Sequence, residues 1–179
     1  MKHWLITILI ILIALPTFTS PTFNKTKVSV PLSFDFYYSY EMVVDALNKL
    51  HKAYPHLTKL DMVGKSEEGR GIYCMTINNP KTGKELDKPG IYVDGNIHGN
   101  EIQAAEVGLY LLNYLLTNYG SSKEITKLMN KNCFYVVPVV NPDGRYHFFK
   151  DANTSSSNRG LRRPHDDDSD GLLDEDFPD

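Results

Sequence analysis

The sequence predicts an α/β fold, a mixed β-sheet flanked by helices, and three observations predict it. From Tyr40 onward the apolar residues alternate between helical and strand spacing. Residues 102–116 are apolar around most of a helical circumference, as in a helix buried in a domain core. Residues 133–140 (Cys-Phe-Tyr-Val-Val-Pro-Val-Val) form a continuous apolar run, suited to the middle of a sheet covered on both faces. Helices and strands in this alternation make a sheet with helices on its faces.

Taken in order, residues 40–51 place Met42, Val43, Ala46, Leu47 and Leu50 at helical spacing. Pro55 ends that helix, because the residue before a proline is pushed out of the helical region. Residues 58–63 and 72–77 read as a β-hairpin around a long polar loop, Gly64-Lys65-Ser66-Glu67-Glu68-Gly69-Arg70. Residues 78–90 are a loop rich in Pro, Gly and Lys, and 91–93 a short strand. In the helix that follows, Ile102, Ala105, Leu109, Leu112 and Leu116 form one stripe, with Val107, Leu111 and Leu115 on another side. A short helix is expected within 121–132, and Pro138 is expected to interrupt the last strand's ladder. In such sheets ligands collect outside the carboxyl ends of strands. His98 and Glu101 follow one strand end and Asn141-Pro142-Asp143-Gly144 follows another, so both segments belong to one rim.

Composition bounds the function. A chain of 179 residues, 41% hydrophobic and 23% charged, is one ordinary globular domain. Its net charge of −3, with Lys and Arg scattered, provides no basic field for nucleic acid. Residues 1–20 join Lys2 and His3 to an apolar run from Trp4 to Leu15, broken by Thr7, and then a polar finish. That is the pattern of an export signal, shorter than the roughly 20 residues of a spanning helix. Thr17-Phe18-Thr19-Ser20 marks a cleavage point poorly, so both a secreted product and one anchored by an uncleaved signal fit. Cys74 and Cys133 lie in apolar strands and read as small buried hydrophobes rather than a disulfide.

His98-Gly99-Asn100-Glu101 sets an imidazole and a carboxylate three positions apart at the start of a helix, on one face. Such a pair is part of a catalytic zinc set, which uses three protein ligands and leaves one position for water. As a bare spacing it carries little weight, since chance yields a His-x-x-Glu in roughly one such chain in three. An ordinary loop histidine beside a first-turn glutamate would look the same. Order along the chain adds the weight. Gly64-Lys65-Ser66-Glu67-Glu68-Gly69-Arg70, then Asp94-Gly95-Asn96-Ile97-His98-Gly99-Asn100-Glu101, then Asn141-Pro142-Asp143-Gly144 resembles the zinc carboxypeptidases related to carboxypeptidase A, across 40–146.

The resemblance implies an α/β/α carboxypeptidase-like fold and a Zn2+ held by His98 and Glu101. It also implies hydrolysis at the C-termini of peptides or proteins, by water activated at the metal. Asn158-Arg159-Gly160-Leu161-Arg162-Arg163 is similar to a family stretch whose arginine polarises the scissile carbonyl; Arg162 takes that role, with Arg163 as the alternative. The family's third ligand, terminal-carboxylate clamp and general base have no recognisable counterpart here. The expectation is therefore an N-terminal part (36–179) of a longer domain, incomplete in its C-terminal half and inactive as this piece. Residues 151–179 read as a polar, acidic insertion. Asp166, Asp168, Asp170 and Asp174 have the spacing of a calcium loop, but Phe177 stands where an EF-hand needs a glutamate, so a solvated acidic tract competes with a Ca2+ site. Two further readings remain: a zinc amidase or deacylase of the same fold acting on acylated amino acids or cell-wall peptides, and a non-catalytic binding module.

Overall fold

The computed structural model describes residues 30–151 and residue 171 of the chain. The expected signal at 1–20, Arg162, Arg163, and the acidic Asp166, Asp168, Asp170 and Asp174 lie outside the described residues.

Helix α1 spans Tyr40–Ala53; the Ser39 hydroxyl caps it by accepting from the Met42 amide, and Val43, Ala46, Leu47 and Leu50 are buried as their spacing requires. The hairpin follows as β1 (Thr58–Lys65) and β2 (Gly71–Ile77), paired from Thr58↔Ile77 to Lys65↔Gly71 with an irregularity between Met62 and Gly64. Both strands run further toward the turn than the sequence pattern shows, which leaves residues 66–70 as the connecting loop. Next come β3 (Gly90–Asp94), α2 (Gln103–Asn118), α3 (Lys123–Lys131), β4 (Cys133–Val137) and α4 (Pro142–Lys150). The sheet order is β1-β2-β4-β3, with β4 antiparallel to β2 and parallel to β3. This is the mixed sheet flanked by helices that the sequence predicts.

The parallel pair β3–β4 is joined through α2 and α3, the kind of long crossover that parallel strands require. Its consequence is positional. Asp94 pairs with Val137, so both carboxyl ends emerge side by side. Pro138 stops β4 early, as a residue without an N–H must. Contact between the two exits nevertheless continues: Gly95 N donates to Val137 O (3.0 Å), Val140 N to Gly95 O (3.0 Å) and Asn141 N to Asn96 O (3.1 Å).

One register line crosses all four strands, Leu60–Met75–Val136–Val93. It joins the α1 residues, Leu109, Leu112, Leu115 and Leu116 of α2, and Met129 of α3 in a single core. Each fully buried large aliphatic side chain there contributes about 1.5–3 kcal/mol. The opposite face of the sheet carries Thr76, Tyr135 and a 63%-exposed Tyr92, so cover by the described helices lies on one face. Helix α2 also departs from the all-round burial its composition suggests: Val107, Tyr110 and Tyr114 stand exposed. Cys74 and Cys133 are free and buried, as expected. Among the described residues no helix is long and apolar enough to cross a membrane.

Gly95 is where the β3 exit touches α2. A Cβ there would sit 2.9 Å from the Ala104 carbonyl oxygen, a backbone atom that cannot swing away. Gly95→Ala should therefore destabilise the protein by about 1–3 kcal/mol, read as a lower urea midpoint with an unchanged m-value. A midpoint equal to the parent's would show that the loop and α2 separate freely.

Candidate metal centre

The centre begins with a turn. Asn96 has φ +56°, in the left-handed region that asparagine tolerates better than most residues. Glu101 N donates to His98 O (3.1 Å) and Ala104 N to Glu101 O (3.3 Å), so the chain coils through 98–101 before α2 starts at Gln103. Glu101 thus precedes the helix instead of occupying its first turn. The outcome is the expected one-sided pair: His98 Nδ1 lies 3.1 Å from Glu101 Oε1, and both side chains face solvent at 43% and 53% exposure. Among the described residues no group of three or more His, Cys, Asp and Glu is gathered to hold a metal.

Beneath the pair lies Asn96, 2% exposed. Its Nδ2 donates to the carbonyls of His98 (2.9 Å), Gly99 (3.3 Å) and Glu101 (3.4 Å). Its Oδ1 accepts from Arg145 Nη1 at 3.0 Å. Arg145 is wholly buried. It donates Nε and Nη2 to Tyr38 O, Nη1 to Ile102 O as well (2.9 Å), and Nη2 to Glu106 Oε1 (2.6 Å). The five donors of a guanidinium are all used. Burial pulls the Arg145 pKa below the ordinary arginine value, and Glu106 works against that shift; the group still carries its charge. Removing one member of such a buried pair costs about 3–5 kcal/mol, because the other charge is left alone.

A second cluster ties the hairpin loop to the β4 exit. Asp143 Oδ1 accepts from Ser66 Oγ (2.7 Å) and Arg70 Nη1 (2.7 Å), and Oδ2 accepts from the Glu68 amide (3.1 Å). Arg70 also pairs with Glu68 and lies 3.8 Å over the Tyr146 ring. His147 joins Glu68 (2.6 Å) to Asp151 (2.7 Å). The Ser66, Glu68 and Arg70 of the hairpin loop and the Asp143 of the β4 exit are thus one assembly.

The Asn141-Pro142-Asp143-Gly144 segment that follows β4 opens helix α4. Asn141 Oδ1 caps the helix by accepting from Gly144 N (2.8 Å), with Pro142 in the first turn. A cap residue followed at once by proline is a helix-start signature and could have shown it. Nothing in the spacing of Glu106, Arg145 and Asn96 along the sequence marks them as partners.

The family model for zinc carboxypeptidases, peptidase family M14, matches residues 43–176. The chain belongs to the zinc carboxypeptidase family. Human carboxypeptidase D is 33% identical over 132 residues, which are 74% of this chain and 10% of that protein. An inactive metallocarboxypeptidase of Saccharomyces cerevisiae is 30% identical over 130 residues, 70% of this chain and 30% of that protein. The crystal structure of carboxypeptidase A from Helicoverpa armigera superposes with TM-score 0.59 at 31% identity, covering 68% of this chain and 29% of that one. Thrombin-activatable fibrinolysis inhibitor gives TM-score 0.64 at 23% identity over 74% of this chain and 32% of that one, a likeness of fold. The chain therefore spans about a tenth of the length of carboxypeptidase D and about three tenths of these two structures. The fold is carboxypeptidase A-like, as the motif order implies.

Asp143 yields a pH prediction. Burial alone would raise its pKa, but the Ser66 hydroxyl, Arg70 and the Glu68 amide outweigh burial and hold it below the ordinary 3.8. A depressed carboxylate stabilises the fold fully above its unfolded-state pKa, and that stabilisation is lost as pH falls through the lower folded value. Asp143→Asn should cost about 2 kcal/mol at neutral pH and reduce the loss of stability on acidification. Urea midpoints measured from pH 6 to pH 3 check this; equal slopes for parent and variant would contradict it.

Proposed function

We propose that this chain carries the first part of a zinc-dependent metallocarboxypeptidase site, with His98 and Glu101 as two of its metal ligands. The observation that carries the reading is the convergence of His98 Nδ1 and Glu101 Oε1 to 3.1 Å at the carboxyl end of β3. Zinc–nitrogen and zinc–oxygen distances of about 2.0–2.2 Å in a tetrahedron set two ligand atoms roughly 3.4 Å apart. The pair needs a shift of only a few tenths of an ångström, so the residues present fit the metal. An imidazole and a carboxylate are also the donor types that zinc uses in hydrolases.

When bound, zinc supplies Lewis acidity, lowering the pKa of its water and polarising a peptide carbonyl. The chain's own residues supply the rest. His98 presents a ring nitrogen and Glu101 a carboxylate oxygen toward one point. Gly99 and Asn100 leave the two donors facing solvent, where a substrate's end can approach. Arg162 is assigned to the scissile carbonyl, as a fixed positive charge where oxyanion character develops; that assignment rests on the similarity of residues 158–163 to the family stretch. The substrate class is the C-termini of peptides or proteins. The remaining ligand and the general base belong to the part of the fold that the family adds after these elements. Among the described residues two such ligands come together, and a site with only two protein ligands should hold zinc weakly and release no C-terminal residue. We further assign residues 1–20 to an export signal, residues 36–179 to the N-terminal part of the peptidase domain and residues 151–179 to an acidic insertion within it.

One observation favours a second reading, a module that keeps the fold without catalysis: a relative at 30% identity is itself an inactive metallocarboxypeptidase. Zinc titration against a chromophoric chelator tests the first reading. His98→Ala and Glu101→Gln should each weaken zinc binding by more than the roughly 10–100-fold that outer partners cost. Both variants binding zinc as well as the parent would reject the ligand assignment.

A further inference from the structure

We propose that Arg145 is a positioning residue for the metal loop, acting through Asn96 and the Ile102 carbonyl to aim His98 and Glu101. The proposal rests on the reading of those two residues as ligands. Neither Arg145 nor Asn96 touches the metal position.

Three observations carry it. First, Arg145 Nη1 alone bonds both Asn96 Oδ1 (3.0 Å) and Ile102 O (2.9 Å), the residues that bracket the loop. The two ends of the 96–102 segment are therefore stapled to one rigid, planar group. Second, a guanidinium only donates. Asn96 must then turn its oxygen toward Arg145 and its NH2 toward the loop, where it meets the carbonyls of His98, Gly99 and Glu101. Were the arginine absent, that amide could flip and set its oxygen against those carbonyls. Third, no slack exists behind the arginine. Tyr38 O and Glu106 Oε1 take its remaining donors, and Glu106 Oε1 is itself fixed by the Tyr38 amide (2.9 Å). Asn96, at 2% exposure, has almost no water to substitute for a missing partner.

The loop is thus fixed from below by a group lying 47 positions further along the chain than His98 (145 − 98). Metal ligands held this way keep their directions before any metal arrives, which is what an outer partner of a ligand contributes.

The discriminating substitution is Asn96→Asp. It tolerates the left-handed backbone and keeps an acceptor for Arg145, but it removes the donor to the loop carbonyls. Asn96→Gly accompanies it, because glycine also accepts φ +56° while removing both interactions. Amide hydrogen exchange of metal-free protein is measured at Glu101 and Ala104, with the amides of Leu47 and Met75 as internal reference. Both variants should exchange at least about tenfold faster in the loop, with the reference amides slowed or quickened far less. Zinc affinity should fall by at least about tenfold in parallel. Unchanged loop exchange in both variants would overturn the proposal, whatever zinc does. If His98→Ala and Glu101→Gln leave zinc binding intact, the ligand reading fails instead, and the exchange result still decides whether Arg145 fixes the loop. Uniform acceleration of loop and reference amides would mean general destabilisation, and would also overturn it.

Discussion

A charged guanidinium sealed from water has to find a partner for every donor, and the architecture around Arg145 is arranged to meet that demand. Tyr38 from the segment before α1, Asn96 from the β3 exit, Ile102 from the entry to α2 and Glu106 from its first turns all turn a polar atom toward it. Five hydrogen bonds converge on one side chain. Three stretches of chain, at Tyr38, across residues 96–106 and at Arg145 itself, are fixed relative to one another by this need. A buried ion pair of this kind is not by itself a large source of stability, because desolvation cancels much of the attraction. Its effect is specificity: other placements of these segments would leave a charge unpaired. Stability comes from the apolar core on the α1–α3 face of the sheet.

The rim of the sheet is where the two effects meet. Parallel pairing of β3 with β4 delivers both carboxyl ends to one place, and Gly95 lets the first exit press against α2. Asp143 then gathers Ser66, Arg70 and the Glu68 amide, which draws the hairpin loop to the same rim. The three tracts that identify the family are thus physically joined: the loop motif binds the Asp of the β4 exit, and the arginine two positions after that Asp holds the loop bearing His98 and Glu101. Their common appearance in one chain has a mechanical reason. Each is a contact surface for another.

Much of this was legible in the residues. Helical spacing of Val43, Ala46, Leu47 and Leu50 gave α1 correctly, because burial of one stripe follows directly from periodicity. The run at 133–140 identified the central strand, and its proline marked the place where the ladder breaks. Composition misled at α2, where apolar residues occupy most positions yet Val107, Tyr110 and Tyr114 face outward; apolarity alone cannot say how many faces have a neighbour. Helix α4 was missed because its sequence lacks an apolar period, its signal lying in the cap and proline instead. The pair His98–Glu101 was visible as a spacing. Its support was not, since Asn96, Glu106 and Arg145 are joined only by the tertiary fold.

The central claim is that the loop bearing His98 and Glu101 is shaped by the protein beneath it and not by the metal. Crystal structures of the protein without metal and after zinc soaking test this most directly. The account predicts that the backbone of residues 96–102 superposes within about 1 Å in the two states, with zinc contacting His98 and Glu101. A rearrangement of the loop by more than about 2 Å on metal binding, with the hydrogen bond from Arg145 to Asn96 broken, would contradict it.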